Sequence, residues 1–151
     1  VSFGEAKDKI TKEVIKDAVK VAQAKDFVEK MEEGYSSHIA AGGTNVSGGQ
    51  KQRLAMARAI ARNPEIYIFD DSFSALDYKT DSNVRKNLNE YCGNATKIII
   101  AQRVATIMNA DQIVVLEQGK VVGIGTHKEL YQNCKIYKDI ALSQLKEEEL
   151  V

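Results

Sequence analysis

The chain has 151 residues, of which 44% are hydrophobic and 28% charged, a size for one domain or a large piece of one. Its 21 basic residues balance 21 acidic ones, which excludes the broad electrostatic attraction that marks nucleic-acid and anionic-membrane binders. No apolar run approaches the ~20 residues of a membrane helix, and no basic and apolar leader opens the chain.

Val1-Ser2-Phe3-Gly4 begins without a methionine, as expected of a processed or excised chain. A helix is predicted from Thr11, a good N-cap, to Ala24, with Val14, Ile15, Ala18, Val19 and Ala22 on one stripe. A short helix follows over Asp26 to Met31, with Phe27 and Val28 inward, and Gly34 opens a loop that runs to Asn45. Ser47 is placed to cap a third helix from Gly48 to Arg62, with Leu54, Ala57, Arg58 and Ala61 on its stripe, and Asn63-Pro64 stops it.

Beyond this point the pattern changes. Ile66 to Phe69 is a continuous apolar run ending on Asp70-Asp71, the pattern of a strand buried on both faces. A helix over Lys79 to Glu90, a strand over Lys97 to Ala101 and a short helix over Val104 to Met108 come next. Gln112 to Leu116 and Lys120 to Ile124 flank Glu117-Gln118-Gly119 as a β-hairpin. Helices at His127 to Tyr131 and Ile136 to Leu145 close the chain, and Lys146 to Val151 is expected to be a frayed tail. Strands alternating with helices argue for half of a parallel α/β sheet. Cys92 and Cys134 lack any metal-binding spacing, as expected of reduced thiols in a cytosolic protein.

The segment that carries chemistry is Asn45-Val46-Ser47-Gly48-Gly49-Gln50. It puts a hydroxyl and two residues without side chains at a helix N-terminus, where unpaired N–H groups and the positive end of the macrodipole attract phosphate. A Gly-rich loop with an ordinary serine cap would look the same in isolation. Here it runs on through Lys51 to Ile60, Asn63-Pro64 and an apolar strand ending in two aspartates.

Val46 to Gln50 resembles the signature motif of the ATP-binding cassette (ABC) ATPases. Ile66 to Asp71 resembles their Walker B strand, and Ser74-Ala75-Leu76-Asp77 their D-loop. Gly123 to Leu130 is similar to the closing segment common in exporter-type cassettes. The order is right over nearly the whole chain. The resemblance implies an α/β fold: a helical signature subdomain (residues 1–62), the C-terminal half of a P-loop NTPase (RecA-like) parallel sheet with flanking helices and a C-terminal β-hairpin (63–146), and a tail (147–151).

In that family two nucleotide-binding domains sandwich two ATP molecules head to tail, and each signature caps the γ-phosphate held by the other domain. The resemblance therefore implies that Ser47, Gly48 and Gly49 meet phosphate in trans and that Gln50 meets the ribose or a nearby water. It gives Asp70 the role of orienting Mg²⁺, mostly through water, and Asp77 a D-loop role between the domains. Tyr35 and the Ala40 to Thr44 loop fall where exporters join this subdomain to membrane helices. The implied partners are a second nucleotide-binding domain and an ABC transmembrane domain, with no nucleic acid, and the implied place is the cytoplasmic face of a cell membrane.

Two positions depart from the pattern. Asp71 stands where most members have glutamate, and Gln102 where most have histidine. Losing one methylene draws the carboxylate back by roughly 1.3 Å, a shift that can cost about 10²-fold when a water must be held in line. Glutamine still hydrogen-bonds but cannot become cationic near neutral pH. Both changes beside an intact signature resemble the degenerate-site subunit of a heterodimeric exporter, with Asp71 and Gln102 lining the slow site.

The 151 residues contain no GxxxxGK[ST] phosphate loop, so this stretch alone is not expected to bind ATP tightly or to turn it over. The residues after the family's Q-loop resemble Val1 to Gly4, so the chain is expected to start mid-domain, with apolar surface and a strand edge that favour self-association. Competing readings are a non-transport ABC ATPase and a catalytically silent dimerisation or regulatory module. The uninterrupted spacing from Ala24 to the signature disfavours the first, and the intact signature the second. His38 and His127 are expected to face solvent or to cap, and Arg53 and Arg58 to brace their helix.

Overall fold

The computed structural model describes residues 10–150; Val1 to Gly4, matched above to the stretch after the Q-loop, lie outside the described residues. The chain divides into two compact units, Val1–Ile100 and Ala101–Val151.

The first unit begins with α1 (Lys12–Val21), started by Thr11, whose hydroxyl accepts from Val14 N at 3.3 Å. It ends where Gln23 turns left-handed at φ +54°. α2 is a single turn, Lys25–Val28, and α3 spans Gly48–Ala61. Asn63, at φ +45°, and Pro64 turn the chain out of α3 and into β1 (Ile66–Asp70). α4 (Tyr78–Tyr91) crosses to β2 (Thr96–Ile100), which pairs parallel to β1 from Ile66↔Thr96 to Asp70↔Ile100. In α4 the buried Asp81 carboxylate is compensated by Arg85 Nε at 2.8 Å.

One core serves this unit: Ala18, Val19 and Ala22 of the α1 region, Met56, Ala57 and Ile60 of α3, Tyr67 and Phe69 of β1, and Val84 and Leu88 of α4. Arg53 braces as expected. Its guanidinium reaches Gln23 O at 2.6 Å, stands 4.9 Å from the centre of the Phe27 ring, and returns through Nε to Gly49 O at 3.3 Å. Arg58 is exposed instead, at the rim of a groove it shares with Ile15, Tyr35 and Ile39.

Among the described residues β1 is covered on one face only. Tyr67 and Phe69 point into the core, whereas Ile66 and Ile68 are 57% and 67% exposed, and Ile98 and Ile100 of β2 share their open face. The helices cover a single side of this two-stranded sheet among the described residues, which leaves the apolar surface expected of part of a domain.

The second unit starts with α5 (Val104–Ile107) and the antiparallel pair β3 (Ile113–Glu117) and β4 (Lys120–Gly125). Gln118 and Gly119, both left-handed at φ +48° and +75°, make the two-residue turn that matches strand twist. A bulge follows, with Val115 opposite Gly123 and Leu116 opposite Val121. Gly123 packs tightly: a Cβ there would lie 2.9 Å from Leu130 Cδ2 and 3.0 Å from Cys134 Sγ, so those side chains would have to shift. α6 (His127–Asn133) starts with a capping box between Thr126 and Glu129, and α7 (Lys135–Gln144) follows.

The expected frayed tail is instead a turn of 3₁₀ helix at Glu147–Glu149, and Leu150 is buried beside Val104, Tyr137 and Ala141. His127 is half-buried and takes the capping role. Its Nε2 lies 3.1 Å from Leu150 O and its Nδ1 2.7 Å from Tyr137 Oη, so the ring ties the chain end to α7.

Candidate nucleotide-facing site

The start of α3 is built by local rules. Ser47 is extended at φ −68°, ψ 162°, and its Oγ accepts from Gln50 N at 3.3 Å while Gln50 Oε1 accepts from Ser47 N at 2.9 Å. This reciprocal box satisfies two backbone donors and fixes the entry angle of the chain. Lys51 N bonds Ser47 O at 2.8 Å and begins the helical ladder. Gly48 and Gly49 thus supply the first helical N–H groups, which have no intrahelical acceptor. Two backbone amides beside an exposed serine, at the head of a 14-residue helix, form a fitting cradle for phosphate oxygen.

Gln50 is half committed: its Oε1 belongs to the box, and only the Nε2 end of its amide is uncommitted among the described residues. Gly49 has a second duty that the sequence does not show. A Cβ there would sit 3.0 Å from Ala75 O and 3.7 Å from Leu76 Cδ2, so the helix start and the 74–77 segment approach as closely as backbone permits.

Asp70 ends β1 with an exposed carboxylate, and Asp71 follows in the left-handed region at φ +48°. That conformation is uncommon for a residue with a side chain, and Asp71, like Asp70, is exposed. The turn is held on several sides. Asp71 N bonds Ile100 O at 3.0 Å, and Asp71 O accepts from Ser74 Oγ at 3.0 Å and Gln52 Nε2 at 3.1 Å. Gln52 also donates to Ser74 Oγ at 3.0 Å and accepts from Ala75 N at 3.0 Å. Hard carboxylate oxygens at the end of a buried-core strand suit Mg²⁺, so the donor chemistry at Asp70 fits that ion.

Asp77 caps α4. Its two oxygens accept from Thr80 N at 2.9 Å and from Thr80 Oγ1 at 2.7 Å, and the Thr80 hydroxyl and amide hold its carboxyl below the usual aspartate range. The first unit therefore brings Ser47, Gly48, Gly49, Gln50, Asp70, Asp71 and Asp77 onto one framework of α3, β1 and the start of α4. Gln102 belongs to the second unit, where it is exposed and its carbonyl accepts from Gln144 Nε2 at 2.8 Å. Sequence reasoning missed Gln52, since a polar residue inside a helix has no periodicity that would distinguish it from solvent-facing glutamine.

Comparison with known proteins points to one family. The family model described as ABC transporter matches residues 2–74. An uncharacterized ABC transporter ATP-binding protein of Mycobacterium tuberculosis is 46% identical over 135 residues, covering 89% of this chain and 23% of that protein. The alpha-hemolysin translocation ATP-binding protein HlyB of Escherichia coli is 48% identical over 113 residues, 75% of this chain and 16% of the relative. The leukotoxin translocation ATP-binding protein LktB of Mannheimia haemolytica is 46% identical over 116 residues, 77% and 16%. The structure of a bacterial Atm1-family ABC exporter with ATP bound matches with a TM-score of 0.88 and 32% identity, covering 94% of this chain and 25% of that one. The chain thus spans less than a quarter of the curated relatives' length. On its motifs, their geometry and these likenesses, the chain belongs to the ATP-binding domains of the ABC transporters.

Proposed function

We propose that this chain is part of the ATP-binding and hydrolysing domain of an exporter, supplying the signature, Walker B, D-loop and switch positions of a head-to-tail ATP sandwich. The observation that carries the reading is the start of α3, where a complete capping box presents the Gly48 and Gly49 amides and the Ser47 hydroxyl together. In this reading Ser47, Gly48 and Gly49 hold the γ-phosphate bound by a partner domain, and Gln50 Nε2 reaches toward the ribose or its water. Asp70 orients Mg²⁺, which supplies charge neutralisation on the phosphates when bound. Asp77 orders the D-loop through its cap on α4.

The reading assigns residues 1–62 to the helical signature subdomain and 63–146 to the ATPase core. Its partners are a second nucleotide-binding domain and an ABC transmembrane domain at the cytoplasmic face of a membrane. The likeness to translocation ATP-binding proteins and to an exporter with ATP bound supports the export class.

Asp71 and Gln102 make this chain's own site the slow one of a heterodimer. A carboxylate one methylene short and a neutral amide in place of imidazole weaken the hold on an attacking water. Single-turnover hydrolysis in the complete assembled pair tests this directly. Asp71→Glu with Gln102→His is expected to speed the slow phase by roughly tenfold or more. An unchanged slow phase rejects the degenerate-site assignment.

A further inference from the structure

One carboxamide joins the two halves of the site. Gln52 sits on α3, one turn beyond the Gly48–Gly49 amides, and spends its whole amide on the turn after β1. Nε2 donates to Asp71 O at 3.1 Å and to Ser74 Oγ at 3.0 Å, and Oε1 accepts from Ala75 N at 3.0 Å. The amide's orientation follows from its partners, because a backbone N–H can only donate and a backbone carbonyl can only accept. No other uncharged side chain of this length offers a donor and an acceptor at one end.

The segment it grips needs gripping. Asp71 is left-handed at φ +48°, a conformation that costs free energy for a residue with a Cβ and persists only where surrounding bonds over-determine it. Its local bonds are the Ser74 hydroxyl at 3.0 Å and a long Ser74 amide at 3.4 Å. Gln52 reinforces both ends of that loop from a different element. On the same side, Gly49 lets the Ala75 carbonyl approach to within 3.0 Å of where its Cβ would be.

We propose that Gln52 is a positioning residue that locks the Asp71–Ala75 turn to the signature helix, so that the carboxylate of this chain's own site and the phosphate cap it offers to a partner move as one body. The functional half of this inference rests on the reading given above. The mechanical half rests on the bonds alone. Rigid linkage makes an arrangement at one nucleotide felt at the other, because α3 cannot shift at its N-terminus without dragging the Asp71 carbonyl.

Two variants in the complete protein separate the bonds. Gln52→Met keeps the length and removes all three; Gln52→Glu keeps the acceptor for Ala75 N and removes the donors. Amide exchange over residues 71–76 is expected to show Ala75 exchanging roughly tenfold faster in Gln52→Met, the effect of losing one such bond. In Gln52→Glu, Ala75 stays protected while the Asp71–Ser74 end loosens. In steady-state hydrolysis by the assembled transporter, Gln52→Met is expected to lower kcat roughly tenfold with KM for ATP unchanged, both phases of single-turnover hydrolysis slowing alike. Equal exchange in all three proteins overturns the clamp, as does a raised KM with intact kcat. A wild-type assembly that never hydrolyses ATP contradicts the functional reading instead, and amide exchange then decides the clamp by itself. Should Gln52→Met fold poorly, the opposed behaviour of the two ends in Gln52→Glu carries the same decision.

Discussion

The start of α3 and the turn after β1 pack against each other but are built in opposite ways. Ser47 to Gln50 follows every local preference: an extended cap, a reciprocal box and glycines where a helix begins. Asp71 to Ala75 goes against local preference, with an aspartate in the left-handed region held by bonds from β2 and α3. The comparison teaches that a helix start can be specified by four adjacent residues, whereas the position of the Asp71 carboxylate is set by elements far apart in sequence.

The largest expected effect comes where the two regions touch. Gly49→Val would drive a side chain into the Ala75 carbonyl and Leu76. It is expected to destabilise the unit by about 1–3 kcal/mol, the range of overpacking, and to displace the turn along with the helix start. Thermal unfolding together with amide exchange over residues 71–76 measures both. A stability loss with an undisturbed turn would mean that the two regions are independent.

Asp71→Gly sharpens the contrast from the other side. Removing the Cβ at φ +48° relieves strain and is expected to raise stability by up to about 1 kcal/mol while removing the carboxylate from chemistry. Denaturant unfolding gives the sign. A loss of stability would show that the Asp71 side chain holds the turn, and that the conformation is not imposed from outside.

The smallest effect is a pH dependence at Asp77. Its folded carboxyl lies below the ordinary value of 3.8 because Thr80 bonds the charged form. A depressed folded value means the contribution is fully present above the ordinary value and is lost as pH falls through the folded one. Asp77→Asn is therefore expected to lose this small contribution at pH 7, to leave stability at pH 3 little changed, and so to flatten the pH dependence below about pH 4. Unfolding of the variant at pH 3 and pH 7 checks the sign.

The same contrast explains what could be read beforehand. The caps at Thr11 and Ser47, the stop at Asn63-Pro64 and the Gln118-Gly119 turn are local chemistry, and each is found within a residue of its expected place. The family, the α/β class and the hairpin were legible for the same reason. Long-range structure was not. Nothing near Leu150 says that His127 will hold its carbonyl, and nothing marks Gln52 as a clamp. In each case the partner lies many positions away, and only the folded chain brings the two together.

Single-turnover hydrolysis in the complete assembled transporter, with Ser47→Arg on this chain alone, tests the central claim most directly. A bulky cation in place of the serine would block the phosphate-facing amides of Gly48 and Gly49. The account predicts loss of the fast phase, at the partner's site, by about 10²-fold or more, with the slow phase at this chain's own site retained. A preserved fast phase with a lost slow phase would place the signature at the wrong nucleotide and contradict the account.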